Sequence, residues 1–249
     1  MERFQDKTVL VTGGTSGIGL AAAKAFIAEG ARVVVTGRDA AALDKAQAEL
    51  GPRAIALRND AAAPRAAKEL AAAISDRGLK LDAAFLNAGI AKFASLSDIT
   101  EDIWDETFDI NVKGVFFQVQ ALTPLLAQGA SIVINGSINA HIGMPNSAVY
   151  AASKAAVVSL AKTLSAELLP RGARVNVVSP GPIRTPLHAK LGFDASALET
   201  VAAQIQAQIP LGRFGTAEEL ASTVLHLAAP ESAFIVGTEV IVDGGMSQL

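Results

Sequence analysis

The chain has 249 residues, 51% of them hydrophobic and 5% aromatic, with a formal net charge of -3. The charge is nearly balanced and no Lys/Arg cluster is present, which predicts that neither nucleic acid nor an anionic membrane is a partner. The chain has no cysteine and its three histidines are scattered, which predicts that it has no metal site. No apolar run reaches the ~18 residues of a membrane helix and the N-terminus is charged, so we expect a soluble, cytoplasmic protein.

Short β-branched runs alternate along the chain with long Ala/Leu-rich stretches. The short runs predict strands at 8–12, 32–36, 54–57, 83–86, 131–135, 174–178 and 239–242. The long stretches predict helices at 18–29, 40–50, 64–77, 101–128, 149–168 and 217–228. Such alternation requires right-handed crossovers and predicts an α/β fold, a Rossmann-like doubly wound parallel sheet with helices on both faces. No repeat or linker divides residues 1–249, so one domain is expected.

A glycine-rich segment joins the first predicted strand to the first predicted helix. Its sequence is Thr12-Gly13-Gly14-Thr15-Ser16-Gly17-Ile18-Gly19. Glycines let the chain turn tightly and let a phosphate approach the N–H groups of a helix N-terminus, where the dipole favours an anion. The spacing departs from the commonest dinucleotide fingerprint, and the alternative is a loop that only turns a corner. We predict a dinucleotide site here.

Tyr150 is the one tyrosine of the chain, and Lys154 follows it by one helical turn. On a helix this spacing places both side chains on one face. A phenol titrates near pH ~10 and serves acid–base chemistry at neutral pH only when a nearby positive charge lowers that value, which Lys154 could do. Tyr-x-x-x-Lys also arises by chance on solvated helices, so the spacing alone is weak.

The glycine-rich segment, followed far downstream by Tyr150 and Lys154, resembles the short-chain dehydrogenase/reductase family. Further segments similar to that family follow in the same order: Asn87-Ala88-Gly89, Pro180-Gly181-Pro182-Ile183-Arg184-Thr185, Pro210-Leu211-Gly212-Arg213-Phe214-Gly215 and Val242-Asp243-Gly244-Gly245. The similarity spans almost the whole chain. Several spaced motifs in the right order are far stronger evidence for the resemblance than any one motif alone.

The resemblance implies a catalytic set of Asn111, Ser137, Tyr150 and Lys154. Tyr150 would donate a proton in ketone reduction and accept one in alcohol oxidation, while Ser137 would hydrogen-bond the reacting oxygen. By resemblance, Lys154 would also bind the nicotinamide ribose, and Asn111 would hold a water in a proton relay. The alternatives are structural: Ser137 could end a strand, Asn111 could cap or bend its helix, and Lys154 could be solvated.

The cofactor expected from the resemblance is a nicotinamide dinucleotide. The expected contacts are Gly13, Thr15, Ser16, Gly17, Ile18, Gly19, Arg38, Asp60, Asn87, Ala88, Gly89, Tyr150, Lys154, Pro180, Gly181, Ile183 and Thr185. Where an acid would bind the ribose of NAD, the chain has Gly37 followed by Arg38, which favours NADP(H) over NAD(H). Asp39 is better explained as a helix cap. Asp60 would contact adenine, the alternative being another cap.

Residues 186–208 are expected to form a lid over the nicotinamide end, with an apolar stripe at Leu198, Val201 and Ile205 that could equally pack on the body. The candidate pocket residues are Asn139, His141, Met144, Leu187 and Leu191. The predicted substrate is a hydrophobic ketone or secondary alcohol. A 3-oxoacyl, sugar or steroid substrate stays open, although residues 125–131 lack the basic groups expected for acyl-carrier docking. A non-catalytic dinucleotide-binding redox sensor is the alternative of another class.

Two predicted helical regions, around 108–126 and 149–168, carry apolar residues on more than one face. One sheet contact cannot bury them all, so partner helices are expected. The resemblance implies a homotetramer built on these helices, with a homodimer as the alternative. Trp104 is expected to pack there.

Overall fold

The computed structural model describes residues 3–184 and 195–249, with only the backbone of 195–199. In this part of the chain seven strands form one parallel sheet in the order β3-β2-β1-β4-β5-β6-β7. Their bounds are β1 Thr8–Val11, β2 Arg32–Gly37, β3 Ala54–Arg58, β4 Leu81–Leu86, β5 Leu126–Asn135, β6 Arg174–Pro180 and β7 Glu239–Val242. The predicted Rossmann-like doubly wound sheet is confirmed.

Helices cover both faces of the sheet. The helices described are α1 Gly17–Ala28, α2 Ala40–Leu50, α3 Pro64–Ser75, α4 Glu101–Phe108, α5 Val115–Leu122, α6 Ala148–Leu168, α7 Ala195–Ala207 and α8 Ala217–Ala228. Because side chains of a strand alternate between faces, Val9 and Val11 of β1 join one core cluster with α1 and α8, and Leu10 joins the other with α3, α5 and α6. None of the helices in the described ranges is long and apolar enough to span a membrane.

The strand order reverses between β1 and β4, which are adjacent in the sheet although three strands apart in sequence. β2 and β3 lie to one side of this point and β5 to β7 lie to the other. In open α/β sheets ligands bind beyond the carboxyl ends of the strands at such a reversal. The loops after β1 and β4 therefore flank the expected site.

The helix predicted at 101–128 is confirmed over 101–122, but it is not one regular α-helix and it ends early. A π-helical turn, Asp109–Gly114, separates α4 from α5, and α5 ends at Leu122. A Cβ on Gly114 would lie 2.0 Å from the Ala61 carbonyl oxygen, so the chain passes this backbone more closely than any side chain permits. Pro124 lies in the tight turn that follows α5, and β5 begins at Leu126, five residues before the predicted start.

The predicted lid is described only in part. The backbone of α7, Ala195–Ala207, is helical, as the apolar spacing indicated. Thr185, Leu187 and Leu191 lie outside the described residues.

Candidate active site

The predicted dinucleotide segment lies beyond the end of β1, and Thr12 ties it to the segment after β4. The Thr12 hydroxyl accepts hydrogen bonds from the backbone N–H groups of Asn87 and Ala88, both at 3.0 Å. The Asn87 side-chain amide donates in return to the carbonyls of Thr12 and Gly13, at 3.1 and 3.3 Å. The loops on either side of the strand reversal are thus held together by paired polar contacts.

The glycines of this segment are required by the backbone. Gly13 and Gly17 have φ of 63° and 52°, in the left-handed region that favours glycine. A Cβ on Gly19 would lie 2.3 Å from the Gly13 carbonyl oxygen. The alternative of a loop that merely turns a corner requires no such close approach at Gly19, so a cradle that excludes side chains is the better description.

The N-terminus of α1 is open to an anion. Its N-cap residue, Ser16, makes no capping hydrogen bond with its side chain, and no acid occupies the first turn of the helix. The first N–H groups of a helix lack intrahelical partners and carry the positive end of the dipole. Together with the side-chain-free cradle, this end fits the diphosphate of a dinucleotide.

The ends of β2 and β3 frame the expected adenosine end of the site. Gly37 ends β2, and a Cβ there would lie 2.8 Å from the Thr15 methyl carbon. Arg38 is exposed. The capping role predicted for Asp39 is confirmed, since its carboxylate accepts from the Ala42 N–H at 2.7 Å and begins α2.

Asp60 is exposed after β3, and its carboxylate accepts from the Ala62 N–H at 3.1 Å. The alternative that Asp60 caps a helix is wrong, because Ala63 is the N-cap of α3. Arg58, which sequence reasoning missed, ends β3, and its Nε donates to the Arg38 carbonyl at 3.1 Å. Arg58 is far in sequence from the glycine segment and from the end of β2, and it comes close to Gly37 only through strand pairing.

Tyr150 and Lys154 both lie in the first half of α6. The Lys154 Nζ is 5.7 Å from the Tyr150 ring centroid and donates to the Asn135 carbonyl at 2.8 Å. The Ser137 side chain lies near enough to the Tyr150 hydroxyl to act on the pKa of the phenol. Lys154 is 6% exposed, so the alternative that it is a solvated face residue is wrong.

Ser137 lies two residues beyond β5, and its hydroxyl accepts from the Asn139 N–H at 3.2 Å. Asn135, at the end of β5, was also missed by sequence reasoning. Its side-chain amide donates to the Asn87 side-chain oxygen at 3.0 Å. Hydrogen bonds therefore run without a break from Lys154 through Asn135 and Asn87 to the Gly13 carbonyl.

Asn111 lies in the π-helical turn, a feature that often marks functional sites. Its amide nitrogen donates to the Ile90 carbonyl at 2.9 Å and to the Ser153 hydroxyl at 3.0 Å, and its side-chain oxygen accepts from the Ile90 N–H at 2.9 Å. Both amide hydrogens are used, so the side chain fastens the segment after β4 to α6. A water held by Asn111 would have to bind one of its oxygen atoms.

Burial dominates the protonation of both titratable groups. It raises the pKa of Tyr150 above its ordinary value, with the Ser137 side chain acting in the opposite direction. The prediction that Lys154 leaves the tyrosine with a lowered pKa therefore does not hold, because desolvation of the phenolate outweighs stabilising effects. Burial also lowers the pKa of Lys154, to about 8.

Replacing Lys154 with Met is expected to change how stability depends on pH. The folded-state pKa of Lys154, about 8, lies below its ordinary value of 10.5. Between these values the unfolded chain binds more protons, so the wild type gains stability relative to the variant as pH rises, by up to about 3 kcal/mol. Urea unfolding at pH 7, 8.5 and 10 measures this. Lys162→Met, at an exposed position of α6, should keep the wild-type profile. Parallel profiles for Lys154→Met and wild type would contradict the burial effect.

Among the predicted pocket residues, Met144 is exposed, with its sulfur 3.9 Å from the Asn139 amide nitrogen. The His141 Nε2 lies 2.7 Å from the Glu239 carboxylate, so this imidazole is hydrogen-bonded to β7, the edge strand of the sheet. Phe93, which sequence reasoning missed, contacts the Tyr150 ring edge-on with centroids 5.7 Å apart and is 47% exposed. A single phenylalanine in a loop gives no periodic signal.

The segment after β6 is fixed to the C-terminal part of the chain. The Gly181 N–H donates to the Val242 carbonyl at 3.0 Å, and the buried Ile183 pairs with Gly215 in an isolated parallel bridge. Pro180 ends β6. Within residues 3–184 and 195–249, no group of three or more His, Asp or Glu residues could hold a metal ion.

Comparisons with known proteins agree on one family. A family model described as "Enoyl-(Acyl carrier protein) reductase" matches residues 13–247. The chain is 38% identical to oxidoreductase asL5 of Sarocladium schorii, over 100% of this chain and 99% of that protein. A solved short chain dehydrogenase/reductase family protein is 40% identical, with a TM-score of 0.87 and full coverage of both chains.

A short chain dehydrogenase from Burkholderia cenocepacia J2315, solved in complex with NADP, is 35% identical with a TM-score of 0.88, covering 98% of this chain and 99% of that one. The sheet order, the glycine cradle and matches over nearly the full length of the chain lead to the same assignment. This chain belongs to the short-chain dehydrogenase/reductase family, whose members are nicotinamide-dependent oxidoreductases acting on alcohol and ketone groups.

Proposed function

We propose that the protein is an NADP(H)-dependent carbonyl reductase or alcohol dehydrogenase that acts on a hydrophobic ketone or secondary alcohol. The observation that carries the proposal is the meeting of the Ser137 hydroxyl, the Tyr150 phenol and the buried Lys154 next to the dinucleotide cradle. A phenol in this setting can exchange a proton with an oxygen held at Ser137. A protein that only binds the dinucleotide has no need of such a set, which weighs against the redox-sensor alternative.

The proposed mechanism has two transfers, one of a hydride and one of a proton. The bound nicotinamide supplies or accepts the hydride. In reduction, Tyr150 donates its phenolic proton to the carbonyl oxygen as negative charge develops there, and the raised pKa keeps the phenol protonated at neutral pH. Ser137 donates a hydrogen bond to the same oxygen. Lys154, held by the Asn135 carbonyl, places positive charge beneath the phenol when protonated.

The other expected contacts divide by region. Gly13, Thr15, Ser16, Gly17, Ile18 and Gly19 would hold the diphosphate, and Asp60 would meet the adenine. The segment after β4, comprising Asn87, Ala88 and Gly89, would flank the nicotinamide ribose. A Cβ on Gly89 would lie 3.1 Å from the Asn111 side-chain oxygen and 3.6 Å from the Lys154 Nζ, so this segment borders the catalytic set. Pro180, Gly181 and Ile183 would meet the nicotinamide.

The preference for NADP(H) is supported by the end of β2. No acid is available at Gly37 to bind a ribose hydroxyl, and the Thr15 methyl occupies the space that a side chain there would enter. The Asp39 carboxylate caps α2, and Arg38 beside it is exposed. Guanidinium binds phosphate strongly. The Burkholderia relative is a complex with NADP.

A hydrophobic substrate is supported by the exposed apolar groups near the phenol. Phe93 lies against the Tyr150 ring, and Met144 is exposed on the neighbouring loop. The Ala94 N–H donates to the Asn146 carbonyl at 3.0 Å, which joins the two loops into one wall. A 3-oxoacyl, sugar or steroid substrate remains the alternative within the family.

We further propose a homotetramer. An open depression of about 330 Å³ lies on the surface of α4 to α6. Two charged and four apolar residues line it: Asp109, Lys113, Phe108, Val112, Phe116 and Leu160. Trp104 is 47% exposed and stacks on Phe108 at 4.8 Å beside it. Apolar surface of this kind is characteristic of protein contacts. Sedimentation velocity would give the oligomeric state, and a monomer would contradict the proposal.

The test of the proposed activity is oxidation of NADPH and of NADH, followed in parallel by absorbance with a panel of aliphatic, aryl, bicyclic and 3-oxoacyl ketones. We expect turnover with NADPH, fastest on the apolar ketones. Binding of a dinucleotide without turnover on any ketone would favour the redox-sensor alternative. Faster turnover with NADH would contradict the cofactor preference but not the reaction.

Replacing Arg38 with Ala is expected to raise the Kd for NADPH by about tenfold while leaving that for NADH unchanged, because one charge-assisted contact to the 2′-phosphate is lost. Fluorescence titration with each dinucleotide measures this. Arg32→Ala, which removes the same charge at the exposed start of β2, is the matched control. Equal weakening of both dinucleotides would contradict the role of Arg38.

A further inference from the structure

Arg58 lies on the same face of the sheet as the dinucleotide cradle. The parallel pairing of β2 and β3 matches Gly37 with Arg58. Paired residues on neighbouring strands point to the same face of a sheet. On that face, the space beside Gly37 is occupied by Thr15 of the cradle. Arg58 therefore emerges next to the one position of β2 that has no side chain.

In the described part of the chain, the Arg58 guanidinium is held in place by one hydrogen bond and keeps further N–H donors free for a ligand. Its Nε donates to the Arg38 carbonyl at 3.1 Å, which fixes the stem of Arg58 against the residue already assigned to the phosphate. Guanidinium has five N–H donors, of which Nε supplies one. Within residues 3–184 and 195–249, no other hydrogen bond from Arg58 is found.

The charges around this pair leave it electropositive. Among the described residues, neither Arg38 nor Arg58 has a carboxylate within ion-pair distance. The two nearest acids in sequence are turned to the backbone instead: Asp39 accepts from Ala42, and Asp60 from Ala62. Two arginines that are joined through the Arg38 carbonyl, both without a counter-charge, favour an anion with more than one negative charge.

We propose that Arg58 is the second half of a clamp for the 2′-phosphate, with Arg38 as the first and the Thr15 hydroxyl beside them. This inference rests on the proposed preference for NADP(H). The sequence offers no basic residue in the glycine segment, where Ser16 stands. Arg58 supplies the missing charge from a different strand. Because the phosphate is a dianion, two guanidinium groups match its charge where one does not.

The test is a binding measurement that does not depend on turnover. Arg58→Met keeps most of the length of the side chain and removes its charge. We expect isothermal titration calorimetry to give a Kd for NADPH raised about tenfold and a Kd for NADH unchanged within about twofold. Arg32→Met is the matched control, since Arg32 is exposed at the opposite end of β2. That control should leave both affinities unchanged.

The outcomes separate this inference from the proposed function. A wild type that binds NADH as tightly as NADPH would overturn the cofactor preference and the clamp with it. A wild-type preference for NADPH that Arg38→Ala lowers and Arg58→Met does not would overturn the role of Arg58 alone. Equal losses for both dinucleotides in Arg58→Met, with a lowered Tm, would show that Arg58 only supports the turn after β2 and would also overturn the clamp.

Discussion

Replacing Tyr150 with Phe is expected to lower kcat by about 100- to 10,000-fold while leaving the Kd for NADPH within about twofold. The substitution removes one oxygen atom and keeps the ring that packs against Phe93. Without the phenol, the reacting oxygen loses its proton donor, whereas the cradle between β1 and α1 is untouched. Single-turnover absorbance measures the chemical step, and fluorescence titration measures binding.

Thr163→Val is the matched control for this experiment, because it removes a hydroxyl from an exposed position of the same helix, α6. It should leave kcat and binding unchanged. If Tyr150→Phe weakened NADPH binding as much as it lowered kcat, Tyr150 would be a binding residue and the proposed proton transfer would be wrong.

Replacing Gly19 with Ala is expected to weaken NADPH binding by about 100-fold, equivalent to about 3 kcal/mol. The added methyl carbon would lie 2.3 Å from the Gly13 carbonyl oxygen and 2.7 Å from the Asn87 side-chain nitrogen. The first contact is to backbone, so the cradle itself has to shift, and the bond from Asn87 to Gly13 breaks. Calorimetric titration with NADPH and with NADH measures the loss, which should be equal for the two.

The control is Gly143→Ala, where an added methyl group meets no atom within 4 Å. Its dinucleotide affinity and Tm should match those of the wild type. An unchanged affinity in Gly19→Ala would mean that the diphosphate lies elsewhere. A loss confined to NADPH would place the disturbance at the 2′-phosphate instead.

The sheet could be predicted from the sequence because its signals are local. Runs such as the valines of β2 and the glycines before α1 lie within a few residues of one another, and their order along the chain decides the topology. The proposed catalytic set could be predicted only through resemblance. Ser137 is far in sequence from the other two residues, and the spacing of Tyr150 and Lys154 is common on helices. Neither feature identifies the set by itself.

The predictions that failed depend on contacts between distant segments. The break in the helix predicted at 101–128 arises where Gly114 passes the Ala61 carbonyl, more than fifty residues away in sequence. The raised pKa of Tyr150 depends on how deeply the fold buries the phenol, which charge spacing along a helix cannot give. Arg58 is twenty or more residues from every other proposed cofactor residue but Asp60, and strand register brings it beside Gly37.

The line of hydrogen bonds from Lys154 through Asn135 and Asn87 to Gly13 has a consequence for redesign. Its residues lie in the loops after β1 and β4, at the end of β5 and in the first half of α6, and none lies in residues 138–147, which carry Asn139 and Met144. Lys154, one helical turn after the proposed proton donor Tyr150, and the cradle therefore share one frame built beyond the ends of β1, β4 and β5. Because the Asn139 N–H holds the Ser137 hydroxyl, a graft from a relative should be confined to residues 140–146, where we expect it to alter substrate choice and to leave that frame unchanged.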